Sequence, residues 1–475
     1  MKSIKTDVVV LGAGPGGYAA AFYAAELGKS VIMVEMDSRL GGVCLNRGCI
    51  PSKALLHAAG LISEAEESEF RGIHFEKPTI DLDRMRAWKE SILEKLAQGI
   101  VTLAQRRHVE ILHGRGYLED ASTLRVETSD GQQYVHFTHA VLATGSRSAM
   151  PPAFDLGNKR IMTSTEALEI EDIPERLLIV GGGYIGMELG TVYKTLGSKI
   201  VLVEAQASIL QGADPDLVKP ILNYAAKNFE EVRTGAKVLK MATSGKKINV
   251  MMEWNGGKKE ELYDRVLVAV GRTPNSRDLG LENTRVLVDD RGFIKVNERQ
   301  QTDEPSVFAV GDVAGGVLLA HKASKEARIA VEVMCGENSE FRDIIMPAVV
   351  FTNPELAWCG LTEAEARERS MEVQIVKCPW MASGRAMSFD RTDGLTKLII
   401  QPATERILGV GIVGAGASEL ISEAVVAIEM GATARDMAES VHPHPTLSET
   451  LSEAAEMYYG YATHAMSKRR VAKEA

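Results

Sequence analysis

Apolar positions in this chain gather in short unbroken runs, each followed by a glycine-rich turn and then by a stretch with helical spacing. Val8-Val9-Val10-Leu11 precedes Gly12-Ala13-Gly14-Pro15-Gly16-Gly17, and Tyr18 to Leu27 reads as an alanine-rich helix. A second run, Ser30 to Val34, ends on Glu35. Unbroken apolar runs suit buried strands, and strand–turn–helix–strand is the βαβ unit that binds a dinucleotide. Its glycines have separate tasks. Gly12 makes the turn, Gly14 lets the pyrophosphate approach, and Gly17 lets the helix pack on the strand, while Glu35 can bind ribose hydroxyls.

The unit occurs twice. Leu177 to Val180 is a strand, Gly181-Gly182-Gly183-Tyr184-Ile185-Gly186 the turn, and Met187 to Leu196 the helix; Lys199 to Val203 then runs into Glu204. The interval from the first glycine to the acid is the same in both units, Gly12 to Glu35 and Gly181 to Glu204. Gly181, Gly183 and Gly186 therefore take the parts of Gly12, Gly14 and Gly17. A third glycine pattern, Gly409-Val410-Gly411-Ile412-Val413-Gly414, has no strand ending in an acid after it. It reads as close backbone packing, without a nucleotide.

These signals predict an α/β protein: two Rossmann-like dinucleotide-binding domains plus a C-terminal α+β domain. The first spans 1–148, with a helical excursion from Ser52 to Arg107 and a close at Ala140 to Ser146, where Gly145 makes a tight turn. The second spans 149–275 and closes on the parallel signal Val266 to Asn275, which contains Gly271. Residues 276–346 carry the strand Ser306 to Val310 running into Gly311-Asp312, and a helix from about Leu319 to Met334. Residues 347–475 mix strands (Ala348 to Thr352, Lys397 to Gln401, Ile407 to Val413) with two long helices, a composition that suits dimerisation. Lys468 to Ala475 reads as a solvated, mobile tail.

A net charge of −10 over 475 residues, without a basic block before the tail, argues against nucleic acid and anionic membrane as partners. No apolar run reaches the roughly 18 residues of a membrane span. The first strand starts almost at once, which leaves no room for a signal or transit peptide, so a cytoplasmic location is expected. Five cysteines form no disulfide scaffold, and Cys335, Cys359 and Cys378 lack metal-ligand spacing, so no metal is expected.

The remaining two cysteines carry the chemistry. In Gly41-Gly42-Val43-Cys44-Leu45-Asn46-Arg47-Gly48-Cys49-Ile50-Pro51-Ser52-Lys53, Gly48 permits a bend that brings Cys44 and Cys49 within disulfide range. Pro51 suits a first helical turn, leaving Cys49 near a helix N-terminus where a thiolate is stabilised. Lys53 lies one turn later on the same face. A reversible disulfide beside a redox cofactor follows. Far along the chain, Val441-His442-Pro443-His444-Pro445-Thr446-Leu447-Ser448-Glu449 sets two imidazoles between prolines, with Glu449 able to fix a ring tautomer. A helix cap by Thr446 and Glu449 explains part of this segment but not the paired histidines. The spacing points to a general base and leaves His442 and His444 both open.

Together the motifs at 41–53, 181–190, 309–312 and 442–449 resemble the pyridine nucleotide-disulfide oxidoreductases over nearly the whole chain, most closely the members that reoxidise dihydrolipoyl groups. The resemblance implies FAD in the first domain, NAD in the second, a homodimer, and lipoyl-bearing carrier subunits of 2-oxoacid dehydrogenase or glycine cleavage complexes as partners. It makes His444 the base and Glu449 its orienting acid, with the histidine facing the partner's disulfide. It pairs Lys53 with Glu188 beside the flavin and sets Asp312 on the ribityl-phosphate region. It also makes Cys44 the interchange thiol and Cys49 the flavin-side thiol. Two residues depart from the pattern. Pro443 replaces a more usual alanine. Tyr184 sits where related glutathione reductases carry a flavin-shielding tyrosine, which raises an NAD(P)H-dependent disulfide reductase as the alternative. Glu204 counts against it, because a carboxylate repels a 2′-phosphate. A scaffold protein without turnover would have lost one of these groups, and all are present.

Overall fold

The computed structural model describes residues 2–466; the tail expected to be mobile, 468–475, lies outside the described residues. Contacts divide the chain into two units, one comprising 1–155, 162–172 and 268–343, the other 156–161, 173–267 and 344–475.

The first unit is built on a seven-stranded sheet. The strand Lys2–Leu11 runs at its middle, parallel both to Val31–Glu35 and to Gly131–Leu142. Val307–Ala309 pairs in parallel with the end of Gly131–Leu142. The expected FAD residues thus follow the carboxyl ends of parallel strands: Gly12, Glu35, Gly145 and Asp312. That edge is where open α/β sheets bind ligands. The helical excursion resolves into Cys49–Glu67 and Leu82–Arg106. Gly271 was expected to close the second nucleotide segment. Its carbonyl accepts from Ala149 N–H at 2.9 Å, and Arg272–Pro274 pairs with Ser146–Ser148, so it belongs to the first unit.

In the second unit, Arg176–Val180, Lys199–Glu204 and Glu231–Thr234 are parallel neighbours. Lys247–Trp254 and Gly257–Tyr263 form an antiparallel hairpin. The C-terminal region holds an antiparallel five-stranded sheet, two strands of which, Glu355–Gly360 and Gln374–Pro379, lack a clear sequence signal. The helices Ala417–Glu429 and Glu449–Tyr459 share a core with this sheet through Ile421, Ala424, Leu451 and Ala455.

The third glycine pattern is a packing device, as expected. A side chain on Gly409 would meet Leu361 O at 1.9 Å, one on Gly411 would meet Leu217 at 2.3 Å, and one on Gly414 would meet the Trp380 ring at 2.3 Å. Buried Lys397 stands nearby on the strand Leu395–Ile400. Its ammonium meets Asp214 at 2.6 Å, Asp216 at 2.8 Å and Glu363 at 3.0 Å. Burial pushes the Asp216 carboxyl up, but hydrogen bonds from Lys377 and Lys397 outweigh it and leave the group below the usual range. These carboxylates lie close enough to hold a cation, and Lys397 fills that place.

Gly414→Ala should lower unfolding free energy by about 2–4 kcal/mol, because Trp380 has nowhere to go. Gly384→Ala, whose added methyl meets nothing within 4 Å, should change it by less than about 0.5 kcal/mol. Chemical denaturation of the two variants checks the contrast.

Candidate active site

Both glycine turns are set by the same contacts. An added Cβ at Gly17 would sit 1.8 Å from Gly12 O, and one at Gly186 would sit 2.0 Å from Gly181 O. Gly12 and Gly181 have φ of 102° and 111°. Gly14 and Gly183 are the N-caps of their helices, Pro15–Glu26 and Tyr184–Leu196. A Cβ at Gly14 would meet nothing nearer than Gly42 at 3.8 Å, and one at Gly183 nothing within 4 Å, so each helix entrance is open to a ligand.

The acids expected to meet the ribose hold their own loops. Glu35 accepts from Ala13 N–H at 2.7 Å and from Asp37 N–H at 2.9 Å. Glu204 repeats this with Gly182 N–H and Gln206 N–H, both at 2.7 Å. A carboxylate has about four acceptor sites, so two remain for ribose hydroxyls. This second task has no local sequence signal, and neither has the group around Asp312. Ser146 donates to that carboxylate, and Arg272 donates to Ser146 Oγ at 2.6 Å and to Ser146 O at 2.8 Å. The neighbouring Gly311 N–H is taken by buried Glu326 at 2.7 Å, which is ion-paired with Lys322 at 2.7 Å.

Cys44 lies in the short helix Gly42–Arg47 and Cys49 is the first residue of Cys49–Glu67, with Gly48 between them. Cys44 is half-buried and Cys49 exposed. Their side chains are hydrogen-bonded to each other. This bond, reinforced by burial, pushes the Cys44 thiol well above the usual range. Lys53 is a turn further along, donating to Ser52 Oγ at 3.1 Å. Tyr18, which no motif singled out, lies near enough for both cysteines to act on it; burial first, and then their charges, raise its phenol. Glu188 lies buried in the other unit and accepts from Phe351 N–H at 3.1 Å. Tyr184 opens its helix and is 40% exposed.

The geometry separates the two histidines. His442 Nδ1 meets Ser440 O at 2.9 Å and its Nε2 meets Glu423 at 2.8 Å, and its side chain is buried. Both of its nitrogens are engaged in structure. His444 is bonded through Nδ1 alone, to Glu449 at 2.8 Å, and its side chain is 71% exposed. Nε2 is therefore the nitrogen that can exchange a proton. Glu449 also accepts from Thr446 N–H at 2.6 Å, so the capping contact and the imidazole contact share one carboxylate. Burial pushes the Glu449 carboxyl up, but the bonds from Thr446 and His444 prevail and leave it below the usual range. The cysteines belong to the first unit and this loop to the second.

A thiol pair at a helix start, two dinucleotide cradles and an exposed, carboxylate-steered imidazole define a disulfide oxidoreductase that passes electrons between two nucleotide cofactors. The chain belongs to the pyridine nucleotide-disulphide oxidoreductase family, whose model matches residues 6–327; the family's dimerisation domain matches 346–455. Members of this family use FAD and NAD. The chain is 43% identical to a dihydrolipoyl dehydrogenase from Haemophilus influenzae over 97% of each chain. It is 42% identical to one from Vibrio parahaemolyticus over 100% of each. Among solved structures it is similar to LpdA from Mycobacterium tuberculosis (26% identity, TM-score 0.88, covering 96% of this chain and 100% of that one). It is also similar to the flavoprotein disulfide reductase RclA from Escherichia coli (26% identity, TM-score 0.85, 95% and 99% covered). No helix among the described residues is long and apolar enough to cross a membrane.

A depressed carboxyl contributes stability above its unfolded value, and that contribution is lost as pH falls through the folded one. Glu449 should therefore stabilise its loop fully above about pH 4.5, its ordinary value, and progressively less below. Unfolding titrations of the wild type and Glu449→Gln should differ above that pH and converge in more acid solution.

Proposed function

We propose that this protein is an NAD-dependent, FAD-containing dihydrolipoyl dehydrogenase, a cytoplasmic homodimer that reoxidises lipoyl groups on carrier subunits of 2-oxoacid dehydrogenase or glycine cleavage complexes. The observation that carries the reading is similarity along the full chain to dihydrolipoyl dehydrogenases. The proposed division is 1–148 for FAD, 149–275 for NAD, with the chain returning to the FAD unit from Val268 so that Gly271 and Arg272 serve FAD, 276–346 completing the FAD site and 347–475 for dimerisation.

The residues present fit both cofactors. The open helix entrance at Gly14, fixed Glu35 and the Asp312–Ser146–Arg272 group suit FAD, with Gly145 and Gly271 in the turns around them. Gly183 and Glu204 suit NAD, since Glu204 offers acceptors to a free ribose and repels a 2′-phosphate. FAD, when bound, supplies the electron path from the thiol pair to NAD.

The chain's own groups supply the thiol chemistry. His444 Nε2 takes a proton from the substrate dithiol, and the thiolate attacks Cys44 in the Cys44–Cys49 disulfide. That bond breaks, a mixed disulfide forms, and Cys49 leaves as a thiolate favoured by its helix N-terminus and by Lys53. The second substrate thiol attacks the substrate sulfur of the mixed disulfide and closes the product, its proton passing to the departing Cys44 sulfur while the first proton stays on His444 Nε2. Cys44 is released and, with its raised thiol, takes up a proton. Two electrons have passed from the substrate to the cysteine pair.

Purified enzyme should reduce NAD with dihydrolipoamide and show little reduction of glutathione disulfide by NADPH; the reverse preference would defeat the reading. Glu204→Arg should shift the kcat/KM ratio toward NADP by about tenfold or more, the worth of one charge contact. Because each site is proposed to combine cysteines of one chain with His444 of the other, Cys44→Ser and His444→Gln homodimers should both lack dithiol turnover. After subunit exchange, heterodimers should regain partial activity through one intact site. Proven heterodimers without activity would mean that the base serves its own chain.

A further inference from the structure

Trp380 is fully buried, yet its indole carries a polar N–H. Nε1 donates to Thr396 Oγ1 at 2.9 Å, the hydroxyls of Thr396 and Thr450 lie 2.7 Å apart, and Thr450 Oγ1 donates to Leu447 O at 2.7 Å. An indole nitrogen only donates and a carbonyl only accepts, so the direction of every proton is fixed. It runs from Trp380 to Thr396, from Thr396 to Thr450, and from Thr450 to Leu447. The three side chains are 0%, 0% and 2% exposed, which leaves water no part as an alternative partner. The indole cannot shift to loosen the chain, because Gly394 and Gly414 press on its ring; a Cβ on either would lie 2.2 or 2.3 Å from it.

The relay ends inside the turn that shapes the base. Leu447 lies between Thr446, whose N–H binds Glu449, and Ser448, whose hydroxyl meets that of Thr446 at 2.9 Å. Thr450 directly follows Glu449. The Thr450 hydroxyl therefore pins the floor of this turn to the strand Leu395–Ile400, at Thr396. We infer that Trp380, Thr396 and Thr450 are positioning residues for His444, holding the turn from which Glu449 aims the imidazole. This rests on His444 being the base of the proposed dithiol reaction.

Thr450→Val is near-isosteric and removes one hydroxyl, leaving the Thr396 proton without an acceptor. Thr450→Ser restores it. The readouts are steady-state kinetics with dihydrolipoamide and NAD, and amide deuterium exchange by mass spectrometry. For Thr450→Val, kcat should fall about tenfold while KM moves less than about twofold, since orientation and not substrate binding is lost. Exchange should quicken in 442–451 and stay unchanged elsewhere. Thr450→Ser should recover most of both effects. Trp380→Phe, which removes the first donor together with part of the ring, should show a smaller loss of the same kind, and its kinetics and exchange decide the matter should Thr450→Val fail to fold. Wild-type kcat and unchanged exchange in a folded Thr450→Val or Trp380→Phe protein would overturn the inference. If the wild type does not turn over dihydrolipoamide, the functional reading fails by itself, and the exchange pattern alone decides whether the relay orders the turn.

Discussion

Positions 17 and 186 can carry only a hydrogen. Each helix of the two nucleotide units begins against the carbonyl oxygen of the first glycine in its own turn, at a separation that no side chain survives. Everything functional in those units depends on this approach. It brings the helix N-terminus to the end of the first strand, turns its amide groups outward, and lets the acid of the second strand reach back to the loop. Glu35 and Glu204 then stiffen their turns, so the carboxylates proposed to recognise the sugars also set the loop geometry in each unit. A helix dipole alone would attract a phosphate, and the fixed loop decides where it sits.

Economy of the same kind appears at Glu449. One oxygen steers His444 and the other receives Thr446 N–H, so ring tautomer and loop shape are set together. The neighbouring His442 shows what the loop does with an imidazole it needs for structure, since both ring nitrogens are engaged and the side chain is withdrawn from solvent. The two rings are separated by a single proline, and their different surroundings give them different work.

Most of the parallel architecture was legible because it is local. Unbroken apolar runs, glycine turns and terminal acids lie within a few tens of residues of each other, and the helices and strands fall within a few residues of where the pattern puts them. What escaped notice depended on distant partners. Ser146, Arg272 and Asp312 converge from three separate segments, and nothing near any one of them signals the others. The surroundings of Gly271 are hidden for a related reason: its apolar strand looks like the close of the second segment, while the chain returns to the first unit just before it. The choice between His442 and His444 needed Glu423, on a different helix, to become visible. The pattern at Gly409 to Gly414 was separated correctly from a nucleotide turn, yet its cause, a tryptophan, a leucine and a carbonyl pressing on the sheet, lay beyond local sequence.

Lys397 has a consequence of another kind. It is an organic cation occupying a seat whose walls are three carboxylates, with ligand atoms within 4.8 Å of one another. Carboxylate oxygens so grouped are the usual shell of a hard divalent ion. Nature has filled the seat with an ammonium tethered to the chain, which is never lost to dilution and demands no metal supply. The fold has thereby made permanent, by a covalent tether, the cation that many proteins obtain by binding calcium or magnesium.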